Sequence, residues 1–111
     1  QKVRRLIVNA MKECFKEYDC ILAPASGTIA PFIDEINNDD KLSTDYLVAE
    51  NYMAMANFSG DPSITVPMGF EEGCPIGVNL TCPAWHESTM FTIAKAIEDI
   101  TGLRDLQTEV K

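Results

Sequence analysis

The segment from Asn57 to Asn79 limits the fold most tightly, because it alternates in character and is punctuated by glycine and proline. From Ser63 to Met68, the residues Ile64, Val66 and Met68 take one side while Ser63 and Thr65 take the other. Alternation with β-branched residues is the pattern of a half-buried strand. Ile76, Val78 and Leu80 alternate in the same way. Between the two runs, Gly69 and Glu71-Glu72-Gly73 supply turn residues, so the pair predicts a β-hairpin with a longer connecting loop. Pro62 opens the first strand and Pro67 stands near its end. Proline brings no N–H to a ladder, so regular pairing is expected to fail locally or stop at Pro67.

Ahead of this segment, Gln1 to Tyr18 reads as an amphipathic helix. Val3, Leu6, Ile7, Ala10, Met11, Cys14 and Phe15 recur at helical spacing. The basic residues near its start, Lys2, Arg4 and Arg5, are read as a solvent face. No capping residue precedes the pattern, so the helix is expected to begin upstream, in a longer protein. After Asp19, the apolar run Cys20–Ala23 suits a strand buried on both faces of a helix-covered sheet. Pro24-Ala25-Ser26-Gly27-Thr28 follows at its carboxyl end, where ligands gather in open α/β sheets. Ser26 and Thr28 are therefore candidate binding residues, although the same composition also makes an ordinary turn.

Residues 29–42 are polar and acidic and read as a loop. Ser43 or Thr44 then caps a second helix running to about Phe58. Its largely apolar composition predicts burial. Glu50 interrupts it with a carboxylate, which is costly to bury unless paired, so Glu50 either faces solvent or serves a site. Beyond the hairpin, Pro83-Ala84-Trp85 is a connector and His86-Glu87-Ser88 opens a last helix. Its apolar stripe is Met90, Ile93, Ala94, Ile97 and Ile100, and Gly102 stops it. The tail 105–111 is expected to fray. The result is one unit over residues 1–111 of class α/β, a mixed β-sheet with helices packed on it.

Charge and cysteine usage exclude several functions. The net charge is −8. Between Lys41 and Lys95 there is no lysine or arginine, while Asp45, Glu50, Asp61, Glu71, Glu72 and Glu87 all lie there. Such a surface repels phosphate and argues against direct nucleic-acid binding. No apolar run approaches the roughly 20 residues of a membrane span. Cys14, Cys20, Cys74 and Cys82 show no metal-type spacing, and His86 alone completes no zinc set. They read as buried or half-buried thiols of a cytoplasmic protein, with no metal or cofactor expected in this part. Ser26, Ser59, Ser63 and Ser88 have no neighbouring base, and no phosphate-cradling glycine motif is present, so no catalytic residue is assigned.

Several motifs in order carry a resemblance. Val3-Arg4-Arg5-Leu6-Ile7, Glu17-Tyr18-Asp19 and Leu22-Ala23-Pro24 come first, with Thr28 beyond them. Ala56-Asn57-Phe58-Ser59-Gly60-Asp61-Pro62-Ser63-Ile64-Thr65-Val66-Pro67-Met68-Gly69 is the strongest, followed by Gly73-x-Pro75-Ile76-Gly77-Val78-Asn79 and His86-Glu87-Ser88-Thr89. Together they resemble the C-terminal portion of the amidase-signature family over nearly the whole chain. Within that family the pattern is most similar to the glutaminase subunit of aspartyl/glutamyl-tRNA amidotransferases.

The resemblance implies a fragment of the amidase-signature α/β/α fold, whose catalytic serine-serine-lysine set lies in an upstream part of the same protein. It implies a parent that releases ammonia from glutamine. A partner subunit would use that ammonia, with ATP and magnesium, to amidate Glu-tRNA(Gln) or Asp-tRNA(Asn). Subunits B and C of the amidotransferase and glutamine are the implied partners. Glu50 stands at the family's acidic position for the substrate α-amino group, and Asn79 stands where the family carries Gln. Two alternatives are another amidase-signature hydrolase and a non-catalytic binding or scaffold domain of the same fold.

Overall fold

The structure, a computed structural model, describes residues 1–36 and 54–106. Glu50, most of the second predicted helix, residues 37–42 of the acidic loop and the last five residues of the tail, 107–111, lie outside the described residues. The elements are α1 (Lys2–Cys14), β1 (Ile21–Pro24), α2 (Ile33–Ile36), α3 (Ala54–Ser59), β2 (Ser63–Glu71), β3 (Cys74–Thr81) and α4 (Glu87–Thr101). α2 is a single turn within the segment read as a loop, and α3 is the described end of the second predicted helix.

The three described strands form one sheet in the order β1-β3-β2, antiparallel across both ladders. The register sets the two faces. Leu22, Leu80 and Ile64 stand opposite one another, as do Pro24, Val78 and Val66. Cross-strand partners share a face, so these residues make one apolar face. Ala23, Asn79 and Thr65, together with Ile21, Thr81 and Ser63, make the other. The α/β class with helices packed on a sheet is what the structure shows.

α4 covers the apolar face, lying across β2 and more lightly on β3. Met90 and Ala94 pack with Val66, Val78, Leu80 and Cys82, and Ile64, Ile93, Ile97 and Cys20 flank them. Leu80 and Cys82 have no exposed surface. Ile100, assigned to this stripe from its spacing, is 84% exposed and takes no part in the core. Gly102 ends α4 in the left-handed region at φ 66, with its N–H donating to Glu98 O.

Two expectations are corrected. The run Cys20–Ala23 is not buried on both faces: β1 is an edge of the three-stranded sheet and Leu22 is 59% exposed. α4 sits over β2 and β3, leaving Leu22 uncovered on the side it shares with Leu80. The hairpin loop is also tighter than the turn residues suggest. Glu71 pairs directly with Cys74, so only Glu72 and Gly73 connect the strands, at φ 50 and φ 77. Two positive φ values match the right-handed twist of the flanking strands. At Pro67 the ladder behaves as anticipated. The register shifts between Pro67 and Gly69, leaving Met68 unpaired, and pairing resumes through Glu71.

Candidate functional site

The carboxyl end of β1 turns over the polar face of the hairpin. Ala25 N donates to Gly77 O at 3.0 Å, adding one backbone bond beyond the ladder. Thr28 N then donates to Ser26 Oγ at 3.3 Å, which closes the Ser26–Thr28 turn locally. The turn stands over β2 and β3 and encloses a cleft of about 380 Å³ lined by Ala25, Ser26, Thr28, Thr65, Pro67, Pro75, Ile76 and Gly77. A second recess of about 270 Å³ shares Ser26, Thr28, Ile76 and Gly77 and reaches Met68 and Glu71. Ser26 and Thr28, singled out from their position after a strand, thus line both hollows. The turn reading of the same residues is equally true of the backbone.

Gly77 makes the close approach possible. A Cβ there would lie 3.1 Å from Thr65 Cγ2, 3.3 Å from Ala25 Cβ and 3.3 Å from Val66 O. The side-chain neighbours can shift, but the Val66 carbonyl is fixed by the sheet. Glycine at this position therefore lets β1 and the Ser26–Thr28 turn settle against the hairpin.

Under the cleft floor lies a hydrogen-bonded hub centred on a residue that the sequence singles out only by resemblance. Asn79 is 2% exposed and its amide makes contact with four groups. Ser63 Oγ donates to Asn79 Oδ1 at 3.0 Å and Thr81 Oγ1 donates to it at 3.4 Å. Asn79 Nδ2 donates to Thr65 Oγ1 at 3.1 Å and to Ile64 O at 3.4 Å. A buried amide with all its bonding capacity used is held rigidly. The signal is present in the alternation, since Ser63, Thr65, Asn79 and Thr81 occupy one parity of the two strands. Only the pairing register brings them together.

The larger cleft has no ionisable side chain in its lining. Its hydroxyls on Ser26, Thr28 and Thr65 and its apolar walls suit a neutral polar group, bound by hydrogen bonds and shape. Among the described residues no group of three His, Cys, Asp or Glu side chains is placed to hold a metal ion. The cysteines are free thiols. Burial pushes the Cys82 thiol up to about 12, with the adjacent Cys20 thiol and then the Asp19 carboxylate raising it further. His86 occupies the N-cap of α4, is exposed, and makes no capping side-chain bond. No described helix is long and apolar enough to cross a membrane.

Comparison with known proteins agrees with this architecture. The family model described as Amidase matches residues 1–91. The A-type subunit of glutamyl-tRNA(Gln) amidotransferase from Streptococcus pneumoniae is 35% identical over 106 residues, covering 96% of this chain and 21% of the relative. Its counterpart from Streptococcus agalactiae is 34% identical over 109 residues, covering 98% and 22%. The crystal structure of the same glutamyl-tRNA(Gln) amidotransferase subunit from Thermotoga maritima superposes with a TM-score of 0.78 at 36% identity, covering 88% of this chain and 21% of that one. The peptide amidase of Stenotrophomonas maltophilia superposes with a TM-score of 0.67 at 28% identity, covering 91% and 19%. The chain spans about a fifth of the length of the curated relatives it matches. On the extent of the family match and on the identity and coverage of these relatives, the chain belongs to the amidase family.

Proposed function

We propose that residues 1–111 are the C-terminal part of a glutamine-hydrolysing amidase subunit of a tRNA-dependent amidotransferase. The observation that carries this reading is the similarity to the glutamyl-tRNA(Gln) amidotransferase subunit along 96% of the chain, the cleft segments included. In this reading the whole protein releases ammonia from glutamine in the cytoplasm. Partner subunits B and C belong to the same complex, and one of them uses ATP and magnesium to convert Glu-tRNA(Gln) or Asp-tRNA(Asn) to the amide. The catalytic serines and lysine come from the upstream part, and residues 1–111 contribute substrate-side walls.

The neutral, hydroxyl-lined cleft supports that role. Ser26 and Thr28 contact the amide-bearing substrate there, and Glu50 pairs with its ammonium group through a charge-assisted contact. The acidic surface leaves the tRNA to other parts of the complex. A second reading is an amidase-signature hydrolase of another amide. The match to the peptide amidase over 91% of the chain favours it, since the same scaffold surrounds a different substrate.

The test is ammonia release by the full-length protein. Glu50→Ala is expected to raise the KM for glutamine about tenfold, the loss of one charge-assisted bond of about 1.4 kcal/mol. An unchanged KM would sink the role given to Glu50. Robust hydrolysis of peptide amides with none of glutamine would favour the second reading.

A further inference from the structure

The hub beneath the cleft fixes the polarity of one hydroxyl. Ile64 O is a carbonyl and only accepts, so the amide atom of Asn79 facing it must be Nδ2. The opposite orientation would set two acceptors against each other. With Nδ2 so placed, its hydrogens are spent on Ile64 O and Thr65 Oγ1, and Oδ1 takes the hydroxyl hydrogens of Ser63 and Thr81. Thr65 is therefore an acceptor toward Asn79. A threonine hydroxyl carries one hydrogen as well as its lone pairs, and no described residue accepts that hydrogen. Thr65 lines the neutral cleft beside Ser26, Thr28 and Gly77.

We propose that Thr65 is a ligand-binding hydrogen-bond donor in the cleft, and that Asn79 is the positioning residue that keeps it a donor. The ligand group it takes is an acceptor oxygen, a carbonyl or carboxylate, and not an N–H. This rests on the reading of the cleft as part of the amide substrate site. It adds a residue on the hairpin to those contributed by the turn after β1. The geometry of the donor is set before the ligand arrives, since β2 and β3 hold both Thr65 and Asn79 in register.

The experiment measures kcat and KM for glutamine with the full-length protein. Thr65→Val removes the hydroxyl at nearly constant shape. Its KM is expected to rise roughly three- to tenfold, the range for one lost hydrogen bond, with kcat little changed. Thr65→Ser is expected to restore the KM, because it restores the hydroxyl. Asn79→Ala is expected to raise the KM by a similar factor, and to add nothing to Thr65→Val in the double variant.

A Thr65→Val protein with unchanged KM, alongside raised KM in Ser26→Ala and Thr28→Val, overturns the assignment of Thr65 while leaving the cleft reading standing. Unchanged KM in all of these variants overturns the cleft reading itself. Failure of Thr65→Ser to restore the KM shows that the methyl group matters instead, and also overturns the assignment. If Asn79→Ala does not fold, the Thr65→Val and Thr65→Ser pair decides the matter alone.

Discussion

Arg4 Nε donates to the carbonyl of Phe58 at 2.9 Å, joining the first turn of α1 to the last turn of α3 across 54 residues of sequence. A guanidinium at a helix carboxyl end meets unsatisfied carbonyls and the negative end of the helix dipole. α1 and α3 pack on each other, with Met11 and Ala56 buried. The basic start of α1, read from sequence as a solvent face, is in part a tertiary clamp.

Arg4→Ala is accordingly expected to destabilise the α1–α3 contact by about 1 kcal/mol, the usual net contribution of one hydrogen bond, since this one is exposed to solvent. Amide hydrogen exchange in the intact protein checks this. Protection should fall in residues 2–14 and 54–59 and hold in β2 and β3. A loss spread evenly over the chain would argue against a local clamp.

At Gly77 an added methyl group is expected to cost about 1–3 kcal/mol, the usual range for overpacking. Gly77→Ala meets Thr65 Cγ2, Ala25 Cβ and the immovable Val66 O. Urea unfolding of the full-length variant gives the stability change. Because Thr65 and Ala25 both line the cleft, the KM for glutamine should rise as well. A stable variant with unaltered KM would show that the cleft walls give way freely.

The hairpin turn offers a change in the opposite direction. Glu72 holds φ 50 with no glycine's freedom, next to Gly73 at φ 77. Asparagine tolerates this region better and is favoured ahead of glycine in such turns. Glu72→Asn is expected to stabilise the protein by about 0.5–1 kcal/mol. A denaturation midpoint that fails to rise would refute the strain assigned to this position.

Cys82 makes the protein's stability sensitive to alkaline pH. Burial raises its pKa from 9.0 to about 12, so the neutral thiol is the folded form. Below pH 9 the thiol is protonated in both folded and unfolded chains and the contribution is complete. As pH rises from 9 toward 12, the unfolded chain releases the proton first and stability falls. Cys82→Ser, which lacks this titration, should flatten that part of the stability curve. A thiol reagent at pH 8 should label Cys82 only after unfolding, since the side chain has no exposed surface.

Much of the architecture is legible in particular residues. Ile64, Val66, Val78 and Leu80 announce a half-buried hairpin because side chains on a strand alternate with period two. Pro67 announces the break in the ladder, and Gly102 the end of α4. Ser26 and Thr28 follow from their place after a strand, without any cleft in view. Glu50 stands out by its charge in an apolar run, and it lies outside the described residues.

The features legible in the chain alone are local ones. They are the alternation of the hairpin, the helical stripes of α1 and α4, and the stop at Gly102, all of which follow from backbone and side-chain preferences over a few residues. The order of the strands is a different matter. It emerges only when the sheet assembles, and with it the exposure of Leu22 and the burial of Asn79 beneath the cleft. The reach of Arg4 to Phe58 and the room that Gly77 leaves for Ala25 emerge in the same way. These depend on register and on contacts between distant segments, where a shift of one residue turns every side chain to the opposite face.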